Sequence, residues 1–262
     1  MKVYIMTDLE GVAGVFDFES QAYPNGRYYE ESRSLLTQEV NAAIEGSLLA
    51  GAEEILVIDG HGYGGIKYEE LHSKAKVFLG KPVPKPFCFL DESFAAVFLI
   101  GHHAMSGVED GNLNHTYCPT SIANMWLNGK KIGEIGILII LAGCFNVPVL
   151  LITGDRAACE EARSYIPNIE VAIVKEGINR TAAICLSKES SRGLIAEKAK
   201  KALQRKNEIE PYYLKGPFEL VTEYTSSALA WAAYQRYGVE KVDSKTTKIK
   251  ADNILDLAKK KQ

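Results

Sequence analysis

The stretch Lys2-Val3-Tyr4-Ile5-Met6-Thr7-Asp8-Leu9-Glu10-Gly11 runs from an apolar segment straight into two carboxylates and a glycine. Val3 to Met6 has the texture of a strand covered on both faces, as strands of parallel sheets are. The pattern returns twice. Ile55 to Ile58 leads into Asp59-Gly60-His61-Gly62, and Val97 to Ile100 leads into His102-His103-Ala104. In an open parallel α/β sheet the strands end along one edge, and ligands bind there. Carboxylates and imidazoles far apart in sequence are thereby gathered in one place. Together they form the donor set of a zinc-type metal site.

Outward from these segments, strand and helix alternate. Lys2 to Thr7 is predicted to be a strand. Tyr28 to Ala50 is predicted to be a helix, with Leu35, Leu36, Val40, Ala43, Ile44 and Leu48 on one face and Gly51 at its end. Strands follow at Glu54 to Asp59, Lys76 to Leu79 and Ala95 to Gly101, with a Pro-rich turn at Pro82, Pro84 and Pro86. Asn128-Gly129, between Ser121 to Trp126 and Lys131 to Ile132, signals a hairpin. Glu134 opens a helix through Phe145, Pro148 to Thr153 is a buried strand, and Arg156 to Tyr165 is a helix. Beyond Pro167 the texture changes. A strand at Glu170 to Val174 precedes a long helix capped by Ser187. Phe218 to Tyr224 alternates polar and apolar residues, as a half-exposed antiparallel strand does, and helices are expected at Ser227 to Tyr237 and Asn253 to Lys261. The expected fold is α/β: a three-layer Rossmann-like parallel sheet over residues 1–167, with a second, smaller α+β subdomain over residues 168–262.

Composition narrows the function classes. The 262 residues carry a net charge of −3, so no global basic field invites nucleic acid as a main partner. The basic run from Lys198 to Lys206 reads as the solvated end of a helix, where cations are favoured. The longest apolar stretch, Ile135 to Cys144, is about half the ~20 residues a membrane span requires. Asp8 interrupts the N-terminal apolar run, which is too short for a signal peptide. The expected location is cytoplasmic, with no membrane partner. Five widely spaced cysteines without a Cys-x-x-Cys are expected to be reduced and mostly buried.

Asp8 and Glu10 are two apart, so on a continuing strand both would face one cation, and Gly11 lets the backbone turn away closely. His61 sits in a bare glycine-rich loop, Gly60 to Gly65, that lacks the spacing of a P-loop or a dinucleotide fingerprint. A histidine there has little packing purpose, and Asp59 is placed to hold an imidazole from behind. His102 and His103 are neighbours and diverge on an extended segment, so at most one points to the site. His115 lies in the polar loop Asn112 to Thr116, and Glu134 stands at a helix start. Three carboxylates and two histidines compensate two divalent cations better than one. Such a pair, about 3.5–4 Å apart, polarises a carbonyl and activates water near neutral pH. No Gly-x-Ser-x-Gly elbow supports a serine hydrolase.

These motifs, in this order and spacing, resemble the D-aminopeptidase family, peptidase family M55. The resemblance is carried by Met6-Thr7-Asp8-Leu9-Glu10-Gly11, Gly101-His102-His103-Ala104, Asn114-His115-Thr116, Gly133-Glu134-Ile135-Gly136 and Pro148-Val149-Leu150-Leu151-Ile152-Thr153-Gly154-Asp155. It implies two zinc ions per subunit. Asp8 would bridge both, with Glu10 and His61 completing one site and His103 and Glu134 the other. His115 corresponds to the family's proposed catalytic residue. The resemblance also implies a ring-shaped homo-oligomer, a decamer, with an enclosed chamber. The chain departs from the family pattern at Gly60, where the founder has Ser, and at His102, where Tyr is usual. The function expected is a di-zinc aminopeptidase acting on short peptides. An N-terminal D-amino acid as substrate is implied by the resemblance alone. Two other readings remain open on the sequence: a non-catalytic peptide-binding protein linked to transport, and a di-metal phosphoesterase.

Overall fold

The computed structural model describes residues 1–81 and 87–261; the Pro-rich turn expected at Pro82, Pro84 and Pro86 lies outside the described residues. In chain order the strands are β1 (Lys2–Thr7), β2 (Glu54–Asp59), β3 (Ala75–Phe78), β4 (Ala96–His102), β5 (Ile122–Leu127), β6 (Lys130–Lys131), β7 (Val149–Asp155), β8 (Glu170–Asn179), β9 (Ala182–Cys185), β10 (Phe218–Tyr224), β11 (Val239–Lys241) and β12 (Thr246–Ala251). The helices are α1 (Tyr29–Leu49), α2 (Glu134–Cys144), α3 (Arg156–Arg163), α4 (Lys188–Gln204), α5 (Ser227–Tyr234) and α6 (Ile254–Lys261).

The larger sheet has seven strands in the order β3-β2-β1-β4-β7-β8-β9. Its pairings are parallel from β3 to β8, and only β8–β9 is antiparallel. β4 and β7 are buried at every residue, which is why their sequences show no alternation. Helices flank this sheet, with α1 packed on α4 and α2 on α3. The three-layer α/β expectation therefore holds. The strand order reverses between β1 and β4, the topological switch point where such sheets open a crevice beyond their carboxyl ends.

The second sheet, β11-β12-β10-β5-β6, is antiparallel throughout. β10 alternates buried and half-buried residues, as its sequence does. Asn128-Gly129 closes the β5–β6 hairpin with both residues at positive φ, 50° and 81°, the geometry of a type I′ turn. This hairpin comes from the first 167 residues, yet it pairs with β10. Conversely, Glu170 to Asn179, expected beyond the boundary at 167, is β8 of the larger sheet. The physical reason is burial: Val171, Ala172 and Val174 lie under helix and sheet beside β7. The sequence reading missed β9, β11 and β12, which are short and rich in Lys, Thr and Ala. It also missed the π-helical turn Phe18–Ala22. A 3-10 turn at Tyr68–Glu70 precedes His72. All five cysteines are free, but only Cys88 and Cys159 are buried.

Candidate metal centre

The carboxyl ends of β1, β2 and β4 deliver the site. Just past β1, Asp8 N donates to Ile100 O at 2.9 Å and Gly11 N donates to Gly101 O at 2.8 Å. These bonds stitch the Asp8–Gly11 segment to the end of β4, beside His103. A side chain at Gly11 has no room: a Cβ there would sit 2.5 Å from the carbonyl carbons of both Gly101 and His102. Past β2, the glycine-rich loop carries His61. The β5–β6 hairpin then hands the chain to Gly133, the N-cap of α2, whose first residue is Glu134.

These side chains converge. Asp8 Oδ1 lies 3.3 Å from His61 Nδ1, and Asp8 Oδ2 lies 3.2 Å from His103 Nε2. Glu10 Oε2 is 3.2 Å from His61 Nδ1, and Glu134 Oε1 is 3.4 Å from His103 Nε2. Asp8, Glu10, His61, His103 and His115 are all buried. Each imidazole spends its other nitrogen on a backbone carbonyl. His61 Nε2 donates to Ala22 O (3.0 Å), His103 Nδ1 to Ala104 O (2.9 Å) and His115 Nδ1 to Leu113 O (2.9 Å). His61 Nδ1 and His103 Nε2 thus face the carboxylates, where a proton or a cation can lie between them.

The sequence reading had Asp59 behind the His61 imidazole. That is corrected: Asp59 accepts instead from Gly65 N (2.7 Å) and Ile66 N (3.2 Å). The glycine-rich loop folds back on its own carboxylate, so Asp59 shapes the loop and Ala22 O orients the ring. His102 diverges from His103 as expected. It is buried, and among the described residues neither ring nitrogen meets a partner in good hydrogen-bond geometry. His115 stacks on His103, ring centroids 3.8 Å apart and planes at 14°. It is flanked by Leu113 and Tyr117, both non-glycine residues at positive φ, 53° and 60°. Such backbone costs about 1–3 kcal/mol per residue and persists only where surroundings over-determine it.

The charges are strongly coupled. Burial works to raise the Asp8 pKa, but the His103 and His61 imidazoles outweigh it and hold the carboxyl well below its ordinary range. Glu134 falls to about 2, burial again opposing and the His103 hydrogen bond winning. In return, Glu10 and Asp8 hold His61, and Asp8 and Glu134 hold His103, well above the usual imidazole value despite burial. Burial, and after it the neighbouring His103 charge, pushes His115 down.

The residues fit divalent cations. Among the described residues, buried Glu10 Oε2 faces only the His61 imidazole, and imidazole nitrogens face carboxylate oxygens on both sides of Asp8. Two groups offer three ligand atoms within 4.8 Å of one another: Asp8, Glu10 and His103, and His103, His115 and Glu134. They share His103, while Asp8 touches both His61 and His103. An open cleft of about 910 Å³ lies over them, walled by Tyr23, Tyr63, Tyr117 and Glu19. Among the described lining residues there is no Lys or Arg. The aromatic wall, the Ala22 carbonyl and the Tyr117 amide, which donates to Glu134 Oε1 at 2.7 Å, escaped the sequence reading because they carry no motif.

Known proteins resemble this chain along nearly its whole length. The family model described as D-aminopeptidase matches residues 1–261. A D-aminopeptidase of Bacillus subtilis (strain 168) is 32% identical over 261 residues, spanning 98% of this chain and 93% of the relative. A solved structure, the Zn-dependent D-aminopeptidase DppA from Bacillus subtilis, described as a self-compartmentalizing protease, superposes with a TM-score of 0.93. It is 31% identical, and the match covers 99% of this chain and 95% of that one. The chain belongs to the D-aminopeptidase family, peptidase family M55.

Proposed function

We propose that this chain is a zinc-dependent aminopeptidase that hydrolyses short peptides bearing an N-terminal D-amino acid, with two zinc ions per subunit. Asp8 would serve both ions, Glu10 and His61 would hold one, and His103 and Glu134 would hold the other. The observation that carries this reading is the pair of imidazole nitrogens that face opposite oxygens of Asp8, at 3.3 and 3.2 Å. Only a cation or a proton between such groups makes the arrangement stable. When bound, divalent cations there supply Lewis-acid polarisation of the scissile carbonyl and acidify water.

The chain's own residues do the rest. His115 keeps Nε2 free, because Nδ1 is committed to Leu113 O, so Nε2 can take a proton and return it to the leaving amine. The ring is held against movement by stacking on His103 and by an edge contact with Phe18 at 5.4 Å between centroids. Tyr23 and Tyr63 form an apolar wall, and Glu19 adds a carboxylate to the cleft, which suits a substrate's amino group. The solved relative's description as self-compartmentalizing supports a homo-oligomer here, and the family resemblance favours a decameric ring. No helix among the described residues is long and apolar enough to cross a membrane, in keeping with a cytoplasmic location.

Purified protein, stripped with chelator and reloaded with zinc, tests the reading. It should cleave the p-nitroanilide of D-alanine and D-alanyl dipeptides, bind close to two equivalents of zinc, and leave p-nitrophenyl phosphate intact. Hydrolysis of the phosphate ester without amide cleavage would replace the reading with a phosphoesterase. Zinc binding with neither activity would leave a peptide-binding module.

A further inference from the structure

We propose that Lys175 and Asn112 form a buried clamp that positions the two active-site segments, 8–15 and 105–117, relative to each other; its kinetic arm rests on the function proposed above, and its structural arm does not. Lys175, on β8, is 1% exposed. Its Nζ donates to Glu10 O and Val15 O, each at 2.5 Å, and to Asn112 Oδ1 at 2.8 Å. An ammonium has three donors and no acceptor, and here each donor meets one oxygen. All three oxygens are neutral. Two of them come from the segment that carries Asp8 and Glu10. The third comes from the segment that carries His115.

Asn112 passes the constraint on. Its Nδ2 donates to Arg180 O at 3.2 Å, and its backbone N donates to Asp155 Oδ2 at 2.7 Å. The next residue, Leu113, donates its N to the same Arg180 O at 2.8 Å while held at φ 53°. Leu113 O then receives the His115 Nδ1–H. From Lys175 to the imidazole of His115 the connection is an unbroken chain of hydrogen bonds. On the other side it ends on the peptide carbonyl of Glu10.

Stability alone does not call for a lysine here. Burying an ammonium among neutral oxygens carries a desolvation cost that an apolar side chain would avoid. The charges of Asp155, Glu39 and Glu10 act on this ammonium, yet its three direct hydrogen-bond partners are all neutral oxygens. What the ammonium supplies is a fixed three-point junction between loops that no strand pairing joins. Two groups acting on one substrate must keep their separation to a fraction of an ångström, since a misplacement of about 1 Å costs on the order of 10²-fold in rate. Lys175 touches neither substrate nor reacting atoms, so its role is positioning.

The test compares wild type, Lys175→Met and Asn112→Ala by hydrogen exchange, by zinc retention against chelator, and by kcat and KM on the peptide that the wild type cleaves. Lys175→Met keeps an unbranched side chain, one atom shorter, and removes all three donors. Its amides in 8–15 and 105–117 should exchange faster while those of β1 and β4 stay protected. Zinc loss should speed up, and kcat should fall on the order of 10- to 10²-fold. Asn112→Ala releases only the second segment. It should speed exchange in 105–117 alone, keep the wild-type zinc content, and lower kcat at unchanged KM. Wild-type exchange in both segments of Lys175→Met overturns the clamp, whatever the enzyme's activity. If Lys175→Met does not fold, Asn112→Ala decides: wild-type exchange and kcat there overturn the proposal. Should the wild type cleave no peptide, the function reading fails, and the exchange data still judge the clamp.

Discussion

Gly11→Ala is the sharpest probe of how the site is assembled. The added Cβ would lie 2.5 Å from the carbonyl carbons of Gly101 and His102, and nearer still to the His102 oxygen, where ordinary contact begins at 3.4 Å. None of these atoms belongs to a flexible side chain. The segment must therefore retreat by at least about 0.9 Å, the difference between those two distances, and further to clear the oxygen. The same step breaks the bond from Gly11 N to Gly101 O at 2.8 Å. Overpacking of this kind costs typically 1–3 kcal/mol of stability. The larger effect falls on function, because the retreat carries Glu10 away from His61, now 3.2 Å away, and Asp8 away from His103. A displacement near 1 Å should lower kcat/KM on the order of 10²-fold and weaken metal binding. Gly193→Ala, in α4, is the control. A Cβ there meets nothing within 4 Å, so it should add roughly 0.5–1 kcal/mol of helix stability and leave activity alone. The assay is kcat/KM with zinc content and thermal melting on all three proteins. Wild-type kcat/KM and zinc content in a folded Gly11→Ala enzyme would refute the claim that this backbone contact sets the site.

Three further outcomes follow from the same geometry. Asp8→Asn should lose both zinc equivalents in elemental analysis, whereas His61→Ala and His103→Ala should each lose mainly one; equal single losses in all three would show that Asp8 is not shared. His115→Ala should keep its zinc and its fold but lose on the order of 10²–10⁴-fold in kcat, and near-normal turnover in a metal-replete variant would remove His115 from the chemistry. Glu39, buried on α1 and accepting from Ala13 N at 3.1 Å, is pushed by burial from its ordinary 4.5 up to about 7. The folded state thus holds this proton longer than the unfolded chain, so its contribution to stability is full below about pH 4.5 and is lost as pH rises toward 7. Glu39→Gln should flatten the decline of melting temperature across that window, and an unchanged slope would refute the assignment.

Sequence and structure share the account of this protein unequally. The apolar runs Val3 to Met6, Ile55 to Ile58 and Val97 to Ile100 need cover on both faces, so they announced a parallel sheet before any coordinates. The polar residues just beyond them, Asp8, Glu10, His61 and His103, had to share an edge because parallel strands end together. Asn128-Gly129 announced its turn through backbone preference alone. These are local demands, and local sequence expresses them. The strand order, by contrast, depends on which strand each helix returns to. That is why residues 122–131 joined β10 in the second sheet and residues 170–185 joined the first. Nor could sequence show that Ala22 O, rather than Asp59, orients His61. A backbone carbonyl has no side-chain signature, and its position is a product of packing. The stacking of His115 on His103 and the junction at Lys175 are of the same kind. Which groups can meet at the sheet edge is legible in the local pattern of the chain. How they are held is not, because orientation comes from long-range contacts among residues that carry no pattern of their own.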